Sequence, residues 1–126
     1  MHTPAHIIEV NAAAETARLA RVAATNAARE FGRVLADQHL TTDDLFRVAD
    51  IGPSMAALNY PLDGSAPPAE FGPAAFGLDA YTDTITQLWS VPMFANAGVG
   101  VEQVGAFLAG VREVRDATRN GYRRAR

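Results

Sequence analysis

Two residue types are missing from the 126 residues of this chain. There is no cysteine. Disulfides, thiolate zinc sites, iron–sulfur clusters and thiol nucleophiles are therefore excluded. There is also no lysine, so all 11 basic residues are arginine. That removes Schiff-base chemistry, pyridoxal-phosphate attachment and the lysine of a phosphate-binding Walker loop. Long apolar runs are missing as well. No stretch approaches the roughly 18 residues that would span a bilayer. The opening Met1-His2-Thr3-Pro4 has neither the basic nor the apolar region of a cleaved secretory signal. The expectation is a cytoplasmic protein, or one exported without a cleaved signal peptide. The net charge of -3 argues against a nucleic-acid partner.

What is present is an ordinary globular balance, with 48% hydrophobic and 20% charged residues. The length is that of a single domain over 1–126. The apolar periodicity is helical almost throughout. Residues 1–10 read as an entry segment, extended or frayed up to Asn11, which is placed to cap the first helix. A long helix is expected over about 12–37, with alanine dominating one face. Thr41 and Asp44 approximate a capping box that opens a short helix over about 42–50. Gly52-Pro53 reads as its end, with Pro53 able to open one further turn. A Pro- and Gly-rich loop follows over 61–75. Helices are expected over about 74–90, which Pro92 stops, and over 101–119, with Asn120-Gly121 as a C-terminal cap. The fold class is all-α: an antiparallel helical hairpin or a small bundle with a Pro/Gly-rich central loop.

No catalytic residue stands out. His2 and His6 have helical metal-ligand spacing, but His39 would have to join them from the far end of the long helix. No metal or cofactor is expected. Asp79 and Asp83 read as a solvated helix face. Gly98-Val99-Gly100 lacks the spacing and the preceding strand of a phosphate cradle. The charge is unevenly placed. Between Val48 and Val111 there is no basic residue, whereas six arginines lie from Arg112 to Arg126. Arginines near a helix C-terminus complement its dipole. The rival reading of this segment is a basic recognition tail.

Two constellations carry functional expectations. Ala17, Ala20, Ala24, Ala27, Phe31 and Leu35 recur at helical spacing and form a stripe narrow enough for close approach by a partner helix. This predicts a non-enzymatic interaction protein that binds a protein partner or forms a dimer or other homo-oligomer. The alternative is a small-molecule-binding helical domain or accessory enzyme subunit. Its pocket would draw on Phe46, Met55, Tyr60, Phe76, Tyr81, Trp89 and Met93, near the 61–75 loop.

One family likeness attaches to the first reading. Ile8-Glu9-Val10-Asn11, followed by Ala12-Ala13-Ala14-Glu15-Thr16-Ala17, resembles the opening of helical-hairpin substrates of actinobacterial type VII secretion. Glu70-Phe71-Gly72, with the aromatic helix ending in Trp89, is similar to their central region. Ala117 to Tyr122 is similar to their closing pattern. The Trp-X-Gly turn is replaced by Trp89-Ser90-Val91, and Arg123-Arg124-Ala125-Arg126 stands where the Y-x-x-x-[DE] signal would follow Tyr122. The resemblance implies a helical, partner-binding protein and assigns no functional residue.

Overall fold

The computed structural model describes residues 5–62, 78–97 and 100–125. Within them the chain is all-α, with five helices and no strand. They are α1 (Ala5–Gln38), α2 (Thr42–Ala57), α3 (Leu78–Trp89), α4 (Pro92–Ala97) and α5 (Val101–Arg119). The Pro/Gly-rich loop beyond residue 62, the start of the expected 74–90 helix and Phe76 lie outside the described residues.

α1 is longer than its periodicity suggests, at 34 residues from Ala5. Ile7, Ile8 and Val10 lie within it instead of in an extended entry segment. β-branched residues cost only a few tenths of a kcal/mol each in a helix. Once an alanine-rich nucleus exists, each further residue adds a hydrogen bond.

α2 starts where expected. The Thr41 side chain accepts a hydrogen bond from the Asp44 backbone N–H at 3.1 Å, in the N-cap geometry. It does not stop at Gly52-Pro53. Pro53 lies inside the helix, which continues to Ala57. Proline forfeits one backbone hydrogen bond, but Gly52, Met55 and Ala56 around it are buried. A Cβ on Gly52 would meet the side chain of Leu108 at 2.7 Å, so α2 and α5 close together there. Tertiary packing outweighs the local breaker. The helix ends instead at Asn59, whose positive φ of 57° asparagine tolerates well. The backbone N–H groups of Asn59 and Tyr60 return to the carbonyls of Ala56 and Met55, the pattern of a Schellman cap. Gly121 repeats it after α5, with φ at 97°, and donates to Thr118 while Tyr122 donates to Ala117.

Pro92 opens α4 as well as following α3. At the first helical position its missing N–H has no partner to lose. The bounds of α5 match the sequence reading at both ends. Gln103 is buried, and its Oε1 accepts from the Gly100 N–H at 3.0 Å, which satisfies one of the free donors at that helix start.

The core is one cluster. Leu45, Val48, Tyr81, Ile85, Val104, Phe107 and Val111 are fully buried within it. Phe31 packs between Phe94 and Phe107, with ring centroids 5.9 and 5.8 Å away. α5 runs antiparallel to α2: Gly52 meets Leu108, Asp50 pairs with Arg115, and Phe46 lies under Arg119. α1 and α5 instead finish at the same end of the bundle. Phe31 lies beside Phe107, Arg33 reaches Glu113, and Asp37 meets Tyr122.

The α1–α5 crossing is unusually close. A Cβ on Gly32 would collide with the carbonyl oxygen of Phe107. One on Gly110 would collide with backbone atoms of Arg29 and Arg33. Glycines are required there because the two backbones touch. Ala24, Ala28, Gly32 and Ala36 recur every four residues along the buried side of α1.

Candidate functional site

The expected alanine stripe divides into two parts. Ala24 is 1% exposed and Leu35 is buried, both within this chain's own core. Ala27 and Phe31 are half-buried and pack against that core. Close helix approach is thus realised internally, by α5. Ala17 and Ala20 lie elsewhere: every residue from 11 to 23 is exposed. The inward face is also turned relative to the expected stripe, toward Ala28, Gly32 and Ala36. Phenylalanine and leucine weighted the sequence reading toward Phe31 and Leu35. The four-residue recurrence of small residues was the better signal.

The exposed part of α1 is an arm about 20 Å long, at 1.5 Å per residue. It is apolar on two opposed sides. Ala13, Ala17 and Ala20 continue the general direction of the buried face, while Leu19 and Val22 lie on the other side, 53% and 45% exposed. Its only charged residues are Glu15, Arg18 and Arg21. Glu15 and Arg18 pair at 2.6 Å, which holds the Glu15 carboxyl below its ordinary range.

Among the described residues, those expected to line an aromatic pocket occupy different surroundings. Met55 and Tyr81 are core residues. Tyr60 is half-buried and stacks on Tyr81 at 6.3 Å. The Tyr81 hydroxyl donates to the Tyr60 carbonyl at 2.8 Å, and burial pushes its pKa above the ordinary phenol value. Phe46 lies beneath the Arg119 guanidinium, 5.4 Å from its ring centroid. Trp89 and Met93 are 45% and 51% exposed.

A groove of about 420 Å³ lies instead between the end of α1, the start of α2 and α3. Phe31, Leu35, Leu40 and Ala80 give it an apolar lining. His39, Asp44, Asp83, Thr84 and Gln87 supply its polar groups. Thr84 Oγ1 donates to the Ala80 carbonyl at 2.6 Å. The sequence reading treated His39, Asp44 and Asp83 as separate features.

The arginine-rich segment is largely engaged. Arg124 donates to the carbonyls of Ala36 and Leu40 and to Thr42 Oγ1, bridging the end of α1 to the start of α2. Asp37 accepts from the Tyr122 hydroxyl at 3.0 Å and from the Ala125 N–H at 3.1 Å. Arg115 reaches both Asp50 and Asp116. Glu113 joins α5 to Arg29 and Arg33 of α1, and the arginines lower its pKa. A dipole-complementing role is only part of this picture, because Arg124, in the segment that follows α5, serves the C-terminus of α1.

Among the described residues no group of three or more histidines and carboxylates is arranged to hold a metal ion. None of their helices is long and apolar enough to cross a membrane. No family model matches the chain, and neither does any curated protein or solved structure.

Proposed function

We propose that the chain is a non-enzymatic helical interaction protein that assembles through the exposed arm of α1. The observation that carries this reading is the arm itself: residues 11–23 form regular helix, carry apolar groups on opposed sides, and are exposed throughout. Isolated helices of this length are marginal in water. A helix with apolar groups on opposed sides is stabilised by burial. The occupant is a second copy of the chain. A second copy presents the same apolar sides, so a symmetric pair of arms would bury Leu19 and Val22 of each against the other.

The resemblance of Ile8 to Ala17 to type VII secretion-associated proteins supports extending the reading to a substrate or partner of that class. The parallel packing of the two long helices, α1 and α5, departs from a two-helix hairpin and adds no support to that extension.

The test is solution mass by light scattering across a concentration series, for the wild type and for the double variant Leu19→Asp, Val22→Asp. The wild type is expected above its 13.4 kDa monomer mass. The variant is expected at monomer mass with an unchanged unfolding midpoint for the body. A wild type at monomer mass up to about millimolar concentration, where even weak association registers, overturns the proposal.

A further inference from the structure

The segment that follows α5 is held to the body by a few specific polar contacts. The Arg124 guanidinium donates to the carbonyls of Ala36 and Leu40 and to Thr42 Oγ1. The Leu40 N–H returns to the Leu35 carbonyl, which leaves the Ala36 carbonyl for a donor from outside α1. Asp37 Oδ1 accepts from both the Tyr122 hydroxyl and the Ala125 N–H. Arg123, between the two anchors, is exposed, and its side chain makes no ion pair or hydrogen bond among the described residues. Tyr122 and Ala125 are exposed too, whereas Ala36 beneath them is fully buried. An open groove of about 590 Å³, bordered by Thr42, Thr118, Arg123 and Arg124, runs alongside. A segment with so little buried surface opens without unfolding of the body.

We infer that the corner joining α1 to α2 is a receptor for an extended peptide of the pattern tyrosine-x-arginine, and that the chain's own tail shuts it as an autoinhibitory contact. The ligand in trans is such a segment of another protein. Arginine is specified because its planar fork reaches three separate acceptors at once. Tyrosine is specified by Asp37, which also reads the backbone three residues on. The middle position is free. The receptor lies at the opposite end of α1 from the arm, so it stands or falls independently of self-assembly.

The probe is the acetylated and amidated peptide of residues 121–125. It is titrated into the full chain carrying Tyr122→Ala and Arg124→Ala, which release the tail, with backbone amides followed by two-dimensional NMR. Saturable shifts are expected at Asp37, Leu40 and Thr42. Wild type should bind the peptide about tenfold more weakly, because its tethered tail competes at a roughly millimolar effective concentration. The peptide carrying Arg124→Ala should lose about tenfold or more in affinity, as hydrogen bonds to a charged group imply. The peptide carrying Arg123→Ala should bind as the unaltered one does. In the wild type, the Ala125 amide should exchange with solvent at least about a hundredfold faster than that of Val111 in the core.

The spectra verify that the body of the double variant is folded; if it is not, Arg124→Gln alone takes its place. The inference is overturned by an absence of saturable shifts in the released chain, or by equal binding to the released chain and the wild type. Equal losses from the two arginine substitutions in the peptide also overturn it, since they would mean charge attraction alone. So does exchange of the Ala125 amide as slow as that of Val111, which would tie the tail to global unfolding.

Discussion

The two halves of α1 are made from much the same residues and meet opposite environments. Residues 11–23 are alanine-rich, regular and wholly exposed. Across residues 24–36 the helix buries Ala24, Ala28, Gly32, Leu35 and Ala36 against the rest of the bundle. Alanine content does not explain the difference, since the exposed half has six alanines and the packed half four. The second half has Gly32, where the backbone of α5 comes into contact, and Phe31, which inserts between two other rings. The first half has neither. Alanine makes a helix able to be packed closely. A glycine on the same face, matched by Gly110 across the crossing, sets where that packing occurs.

The largest effect that would break this comparison comes from tryptophan in each half. Ala24→Trp should lower stability by about 3 kcal/mol or more, because the new ring has no space in a packed core. Ala17→Trp should leave the unfolding of the body unchanged and alter only the assembly mass. Equal losses in urea titrations of the two variants would mean that the halves are packed alike.

A smaller pair sharpens the role of the glycines, within α5 alone. Gly110→Ala should cost about 2 kcal/mol, since its Cβ would press on backbone that no rotamer can move. Gly105→Ala meets nothing within 4 Å and should stabilise by about 0.5–1 kcal/mol through helix propensity. One substitution at two sites thus has opposite signs, which thermal unfolding would read directly.

The smallest effect concerns the charges flanking the crossing. Glu113 is partly exposed, so Glu113→Gln should cost no more than about 0.5 kcal/mol at neutral pH. Its folded pKa is lowered by Arg29, so that contribution is present above the ordinary glutamate range and lost as pH falls through the folded value. The variant and the wild type should therefore converge as the pH falls through the folded value of Glu113, as followed by denaturant midpoints.

Much of this fold was legible in the sequence wherever a local rule acted alone. Thr41 capped α2, and Asn120-Gly121 ended α5. The limits of α5 followed from its period. Legibility failed where distant packing overrode a local preference. Pro53 was read as a breaker, yet the buried residues around it carry the helix on to Ala57. Asn59, the actual stop, was an available signal that Pro53 overshadowed. The groove was not legible, because its walls come from three helices, and its acids read locally as a helix cap at Asp44 and a solvated helix face at Asp83. The aromatic residues expected to form a pocket were individually recognisable as apolar, but periodicity does not say which of them share a cavity.

The clasp made by Arg124 and Asp37 has a consequence for the order of synthesis. It joins residues 88 positions apart. α1 is the first described helix to be made, and its small-residue face is covered by the last. At about 5–20 residues per second, that face waits several seconds before α5 exists. During that time α1 is an uncovered alanine-rich helix beside a growing chain. A newborn molecule is therefore most open to capture by another copy, or by a chaperone, along the surface it will later close for itself.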